Sequence, residues 1–390
     1  MSLLSDPRGY WTGLTLAEKG VTGVVVGAVV FLVLALVTGG LAPTYFLYLV
    51  GLAGMYALLS LGLNSQWGFS GLINFSVAAF FGIGAYGTAL ASASSSPVAG
   101  DLLPVVGLLV ALVLAAVLAL LIGIPTLRLR ADYLAIASIG LAEVVRLIVL
   151  NQDDWTNGSA GVRGIPSFFE GWPVLATFPE TMPTLVFGSG PSALVLSAPF
   201  WQDLLNVGLV LVFAAVSYLV LRRAHRSPWG RVLRTIRSDE DLARALGKHT
   251  YGFKMQSFVL GSLIMALAGV FYAHLNLYVG PGDLDPITTF YVWVAVILGG
   301  SGSNRGAVFG GIVIVAIQQG TRFLNGFEAI PFSPAPLRLL LIGVIIVLLM
   351  RFRPQGVLPP QRELIWPGTV DDAPEQPDSG VRESKAGGDQ

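Results

Sequence analysis

The sequence contains no cysteine and three histidines, and only 12% of its 390 residues are charged. The absence of cysteine excludes structural disulfides and thiolate metal sites, although it says nothing about the redox compartment. His225, His249 and His274 lack the spacing of metal ligands, so no metal site is expected. The lysines are Lys19, Lys248, Lys254 and Lys385. None of them lies in the G-x-x-x-x-G-K-[ST] frame of a P-loop, so the chain is not expected to hydrolyse ATP by that route.

What the sequence has instead is apolar surface. Hydrophobic residues make up 54% of the chain, and its mean hydropathy is +0.72. Several apolar runs approach the ~20 residues that a helix needs to cross a membrane, and they lack the alternation of barrel strands. These features predict an all-α polytopic membrane protein. Spans are expected near 21–37, 45–63, 77–93, 102–124, 133–150, 204–221, 253–277, 288–299, 307–321 and 337–350.

The distribution of basic residues predicts the orientation of these spans. The segment from Arg222 to Lys254 holds nine of the 23 lysines and arginines, whereas residues 38–44, 94–101 and 278–287 contain none. Basic residues collect in cytoplasmic loops. About ten spans place the basic segment and both termini on the cytoplasmic side. The resulting division is an N-terminal segment (1–20), a transmembrane domain (21–352) and a cytoplasmic tail (353–390). Within the domain lie an extracytoplasmic cap (151–202) and a cytoplasmic loop (222–252). The polar composition predicts disorder in the tail from about residue 368.

One short stretch of the cytoplasmic loop is unusually polar. SPWGRVLRTIRSDEDLARALG, residues 227–247, carries seven charged side chains. Arg231, Arg234 and Arg237 recur every third residue, which predicts a helix with a basic face. Ser238 and Asp241 have the spacing of a capping box, so a second short helix is expected to end at Gly247. From the residues alone, this segment is either an interfacial helix or a docking element for a cytoplasmic partner.

Six segments resemble one family in the same order. Besides residues 227–247 they are LGLNSQWGFSGLINFSVAAFFGIGAY (61–86), IPTLRLRADYLAIASIGLAEVVRLIVLN (124–151), NGSAGVRGIP (157–166), LGGSGSNRGAVFGG (298–311) and RFRPQGVL (351–358). They are similar to the LivM-type permease subunits of branched-chain amino-acid ABC importers. Trp67, Phe69, the long stretch before the sixth span and the acidic tail depart from that pattern.

The resemblance implies an ABC importer permease fold in the plasma membrane of a prokaryote, and a transporter subunit rather than an enzyme. It implies as partners a second, LivH-type permease subunit, two ATPase subunits that bind ATP and Mg²⁺, and an extracytoplasmic solute-binding protein. It also implies that the ATPase docks on the polar stretch. The residues assigned to docking are Gly230, Arg231, Arg234, Arg237, Asp239, Glu240, Ala243, Leu246 and Gly247.

Two alternatives to this function remain open. The same architecture serves urea and short amides, so the solute could belong to that class. A stand-alone transporter driven by an ion gradient is the alternative from another class. Such a carrier would normally need several carboxylates at membrane depth, and Glu143 is nearly alone there.

Three groups of residues inside the predicted spans are candidate functional or packing positions. Glu143 and Arg146, three residues apart, either form a structural ion pair or line a path for a zwitterion. Asn64, Gln66, Ser70 and Asn74 interrupt an apolar region, which indicates either a short loop or a broken, re-entrant segment. The glycines Gly82, Gly84, Gly299, Gly300, Gly302 and Gly306 are expected to allow close helix packing and a tight turn.

Overall fold

A computed structural model describes residues 40–98, 100–129, 131–172, 175, 177–187, 194–323 and 334–360, together with 19, 23, 27, 35, 36 and 38. Within this part of the chain the longer helices are α1 (Pro43–Leu63), α2 (Val77–Ser92), α3 (Pro104–Thr126) and α4 (Ala131–Asn151). After the short helices α5 (Asp153–Thr156) and α6 (Phe178–Thr181) come α7 (Ala198–Arg226), α8 (Pro228–Ser238), α9 (Glu240–Ala245) and α10 (Thr250–Asn276). The last three are α11 (Pro286–Gly299), α12 (Asn304–Phe323) and α13 (Pro334–Phe352).

Nine of the ten predicted spans coincide with helices, and the first, 21–37, lies outside the described residues apart from isolated positions. Five segments of the described chain are long and apolar enough to cross a membrane: Pro43–Phe69, Pro104–Thr126, Asp132–Asn151, Ala198–Arg226 and Thr250–Asn276. The predicted sixth span, 204–221, is too short, because α7 continues beyond it at both ends. The predicted tail is described only as far as residue 360.

Apolar composition and small residues explain how these helices form and pack. Proline in the first turn, where its missing N–H costs no hydrogen bond, starts α1, α3, α7 and α11. The core includes the fully buried side chains of Leu58, Phe80, Phe258 and Met265. Helices α2 and α10 approach so closely that a Cβ on Gly84 would overlap the carbonyl oxygen of Ala266. Large apolar side chains therefore fill the space between the helices, and glycines lie where two helices approach most closely.

The segment between α4 and α7 forms an irregular cap with short strands that the apolar pattern did not predict. Strand β1 (Val162–Arg163) pairs with β4 (Tyr278–Val279), which follows α10, and β2 (Leu185–Phe187) pairs with β3 (Leu194–Leu196). The buried His274 of α10 bonds through Nδ1 to the carbonyl oxygen of Pro166 at 2.7 Å. Because a carbonyl only accepts, Nδ1 carries the proton, and the Thr88 hydroxyl donates to Nε2 at 3.0 Å. The cap is thus tied to α2 and α10.

At the opposite end of α10, several of the sequence motifs meet. The backbone after α13 lies along the end of α11, where Val357 N donates to Leu298 O and Leu358 N to Gly299 O, each at 2.9 Å. Gly300 adopts a φ of +113°, which favours glycine, in the turn between α11 and α12. This turn, residues 300–303, is called the glycine turn below. It lies against the end of α1 and the α8–α9 segment, residues 228–247, as described next.

Candidate functional site

The end of α1 changes its winding before the chain leaves the helix. Residues Asn64–Phe69 form a π-helix, and residues 71–76, which have no regular structure, then lead to α2. Asn64, Gln66, Ser70 and Asn74 are all at most 2% exposed. The stretch of residues 64–76, called the π segment below, is therefore irregular and buried in the protein rather than an ordinary solvent-exposed loop. Short π-helical turns are uncommon and frequently occur at functional sites.

Gln66 is the centre of a closed hydrogen-bond network in this segment. Its Nε2 donates to the carbonyl oxygen of Phe258 at 2.7 Å and to Ser262 Oγ at 3.2 Å, and its Oε1 accepts from Asn74 Nδ2 at 2.7 Å. Ser70 Oγ donates to the Gln66 carbonyl at 2.5 Å. The amide thereby uses both ends of its side chain inside the protein. The network thus attaches the π segment to α10.

Asn64 joins the π segment to the glycine turn. Its Oδ1 accepts from Gly302 N at 2.8 Å, and its Nδ2 donates to Asn304 Oδ1 at 3.0 Å. Asn304 Nδ2 then lies 3.4 Å from Nδ1 of the buried His225. The close approach of the π segment to the glycine turn requires Gly68, because a Cβ there would overlap Asn64 Oδ1 and lie 2.5 Å from Gly302 N.

His225, near the end of α7, stacks between two aromatic rings. Its ring centroid is 3.4 Å from that of Phe69 in the π segment and 6.0 Å from that of Trp229 in α8. Trp229 Nε1 in turn donates to Gln256 Oε1 of α10 at 2.8 Å. A Cβ on Gly230 would overlap the His225 carbonyl, so the turn from α7 into α8 is tightly packed. Helix α8 is thus held against three elements of the membrane domain.

Two of the three arginines of α8 point back to the protein. Arg234 Nη1 donates to the carbonyl oxygen of His225 at 3.0 Å. Arg237 Nη1 donates to the carbonyl oxygen of Gly68, and its Nη2 donates to Ser301 Oγ at 3.3 Å. Burial lowers the pKa of the Arg237 guanidinium from its usual value. One side chain therefore binds both the π segment and the glycine turn, although Arg237, like Arg231, keeps part of its surface exposed.

Helix α9 is fixed by its cap and by an ion pair. Asp239 Oδ1 accepts from Leu242 N at 2.9 Å, so Asp239 is the cap, and the prediction of Ser238 as the cap is wrong. The Ser238 hydroxyl instead donates to Thr235 O inside α8. Burial would raise the pKa of the Glu240 carboxyl. Its hydrogen bond from Lys254 and the charge of that cation outweigh burial, together with a hydrogen bond from Thr250 and the charge of Arg244. The pKa is therefore lowered.

The outer surface of the α8–α9 segment combines charge and apolar area. Asp241 has a 91% exposed side chain, and Leu242 and Leu246 are 51% and 64% exposed. Ala243 is fully buried beneath them, and Gly247 ends the segment with a φ of +73°. An exposed leucine pair bordered by charged residues is suited to contact another protein.

The remaining predicted residues lie elsewhere in the bundle. In α4, Arg146 Nε donates to Glu143 Oε2 at 2.8 Å and Nη2 to Oε1 at 2.5 Å, so the two form a bidentate pair. A Cβ on Gly82 would overlap Leu284, and Cβ atoms on Gly299 and Gly306 would overlap each other's carbonyls. Gly302 has a φ of +85° in the glycine turn.

Sequence reasoning missed His225, Asn304 and Trp229 in this site. The spacing of His225 excludes a metal-ligand role and indicates no other, and Asn304 lies within a glycine motif. A signal existed in the polar residues that cluster at the ends of apolar runs, since His225 and Asn304 both occupy such positions. Nothing in the spacing along the chain shows that these two ends meet.

Comparisons with known proteins identify the family of this chain. A family described as branched-chain amino acid transport system / permease component matches residues 45–350. The chain is 32% identical to the high-affinity branched-chain amino acid transport system permease protein LivM of Escherichia coli K12, over 79% of this chain and 68% of that protein. It is 28% identical to a probable LivM protein of Methanocaldococcus jannaschii, over 80% of this chain and 93% of that protein.

The chain is also 26% identical to the permease protein LivH of Escherichia coli K12, over 68% of this chain and 81% of that protein. No solved structure shows a significant match. The family match spans the helices, the π segment, the α8–α9 segment and the glycine turn. The chain therefore belongs to the family of permease components of branched-chain amino acid transport systems.

Proposed function

We propose that this chain is the transmembrane subunit of an ATP-driven, binding-protein-dependent importer of branched-chain amino acids. Its location would be the plasma membrane of a prokaryote, with about ten spans and both termini in the cytoplasm. Support for the solute comes from the names of the relatives, which are 28–32% identical LivM proteins. The excess of basic residues between Arg222 and Lys254 supports the orientation.

The importer would contain further chains. LivH proteins match this chain less closely than LivM proteins do, which supports a second permease subunit of the LivH type. Two ATPase subunits would bind ATP and Mg²⁺, because the chain itself has no P-loop frame. A solute-binding protein would deliver the amino acid to the cap.

The observation that supports this proposal most directly is that the α8–α9 segment is bonded to the membrane helices and their turns. Its outer surface, with Arg231, Asp239, Leu242 and Leu246, would receive the ATPase. Its inner surface is bonded through Arg237 to Gly68 O and Ser301 Oγ. Closure of the ATPases would displace α8, and Arg237 would pass that displacement to the π segment and the glycine turn. The polar residues of the π segment would then rearrange as the path opens.

Reconstitution tests this proposal against its competitors. Proteoliposomes that contain the full complex should take up radiolabelled leucine, isoleucine or valine only with ATP on the cytoplasmic side and the binding protein outside. Uptake of urea but not of these amino acids would show that the solute belongs to the urea class and is not a branched-chain amino acid. Ion-driven uptake by vesicles that contain this chain alone would contradict the proposal as a whole.

A further inference from the structure

We propose that one face of α4 is the contact surface for the second permease subunit, an assignment that rests on the proposed function. This face, called the α4 face, consists of Ile136, Ile139, Glu143 and Leu147, with Arg146 at its edge. Their spacing of three and four residues places them on one side of the helix. Ile136, Ile139 and Leu147 are 70%, 43% and 42% exposed. Among the described residues, no other helix covers this surface.

The ion pair makes this surface unusual. The side chains of Glu143 and Arg146 are 35% and 27% exposed although they bind each other in bidentate fashion. Glu143 lies twelve residues after Ala131 and eight before Asn151, the ends of α4. At 1.5 Å per residue these separations are about 18 and about 12 Å, which is near the middle of a bilayer.

Other exposed helices show what a lipid-facing surface looks like in this protein. Midway along α3 the exposed side chains include Val113, Val117 and Leu121, and midway along α7 they include Val212 and Val216. All of these are aliphatic. Ionisable groups at membrane depth usually face protein or water rather than lipid tails. Because the helices in the described part of the chain leave the pair partly exposed, we infer that another chain covers it.

The composition of the α4 face fits a protein partner. The face carries an ion pair beside apolar side chains, and arginine is enriched in protein interfaces, where a partner's polar groups satisfy the charges and apolar contacts exclude water. Escherichia coli K12 has both a LivM and a LivH protein that match this chain, at 32% and 26% identity. The second subunit is therefore expected to be a related but different chain rather than another copy of this one.

The absence of cysteine provides a direct test. Ile139→Cys places one thiol on the α4 face, and Val117→Cys places a matched control on α3, where the original side chains are 43% and 48% exposed. Each variant is labelled with a bimane fluorophore and reconstituted with lipids that carry a nitroxide quencher in the acyl chain. Both the chain alone and the complex with the LivH-type subunit, ATPases and binding protein are measured.

We expect lipid quenching at both positions in the chain alone. In the complex, quenching at position 139 should be lost while quenching at position 117 remains. Quenching at 139 in a complex that still performs ATP-driven uptake would overturn the assignment of the surface and leave the proposed function standing. Protection of 139 already in the chain alone would overturn the choice of partner in favour of a second copy. Failure of the two subunits to co-purify would overturn the proposed function itself.

A charge variant provides a second readout. Arg146→Gln leaves the Glu143 carboxylate without its partner at the proposed interface. We expect less LivH-type subunit to co-purify with it than with the wild type, at equal amounts of inserted chain. Arg223→Gln, which removes an exposed arginine at the end of α7, is the control and should co-purify normally. Equal co-purification of all three proteins would contradict the proposal.

Discussion

Replacing Arg237 with alanine tests whether the inner surface of the α8–α9 segment transmits movement. The substitution removes the donors to Gly68 O and Ser301 Oγ and leaves the outer surface of the segment unchanged. Alanine favours helix, so α8 itself should persist. The variant should still bind the ATPases, but it should transport less amino acid for each ATP hydrolysed.

The size of the effect follows from the two lost hydrogen bonds. A hydrogen bond from a charged group contributes about 1.5–3 kcal/mol when buried, and the lower end applies to a partly exposed arginine. Two such bonds give about 2–3 kcal/mol, within the about 1–3 kcal/mol typical of coupling between sites. A loss of this size corresponds to a decrease of about 30- to 150-fold in transport per ATP hydrolysed.

The assay compares amino-acid uptake and ATP hydrolysis in proteoliposomes that contain the complete importer. Arg223→Ala is the control, because it also removes one exposed basic residue and therefore affects insertion similarly. Normal co-purification of the ATPases with a fall in uptake is the expected result. If Arg237→Ala transported at the wild-type rate per ATP, the reasoning on transmission through this side chain would be wrong.

Three further substitutions test the packing and the charges of the described helices. Gly84→Leu should prevent the close approach of α2 and α10. Because overpacking costs about 1–3 kcal/mol, the melting temperature in detergent should fall by several degrees. Gly208→Ala, the control with open space at its Cβ, should not lower the melting temperature. Gln66→Leu should leave buried polar partners unsatisfied at a cost of about 1–3 kcal/mol, measured by the same melting assay. Because the pKa of Glu240 is lowered in the fold, its contribution to stability is present above the ordinary glutamate pKa of 4.5 and is lost as pH falls through the lowered pKa. Glu240→Gln should therefore melt earlier than wild type at pH 7, and the difference should shrink in acid. A constant difference across pH would contradict this assignment.

The positions of the helices could be predicted from the sequence because they depend on local composition. An apolar run such as Leu102–Ile124 has few alternatives to a helix in a membrane, and the observed α3 differs from it by two residues at each end. The polar stretch at 227–247 was likewise predicted as two short helices, and the structure contains α8 and α9 there. Local rules of propensity and glycine termination suffice for such elements.

Features that depend on distant contacts could not be predicted in this way. The spacing of the α8 arginines indicates a shared face, but it does not show that Arg237 reaches Gly68, which lies 169 residues away in the sequence. The winding of Asn64–Phe69 into a π-helix likewise depends on partners in α10 and the glycine turn. Asp239 replaces Ser238 as the cap because α8 continues one residue further than its pattern indicates.

The contacts of Arg237 join α8 to irregular backbone rather than to the middle of a regular helix. A regular helix resists local change because every residue shares in its hydrogen-bond ladder, whereas a π-helical turn and a glycine turn can adopt other backbone angles at lower cost. Asn64 bonds these two segments to each other, so they cannot move independently while its contacts persist. A displacement of α8 should therefore move the end of α1 together with the start of α12. Because a Cβ on Gly311 would lie 2.8 Å from Ala57 N, these two helices also touch farther along. We expect this joint movement to carry a force applied at one end of the domain to the packing at membrane depth.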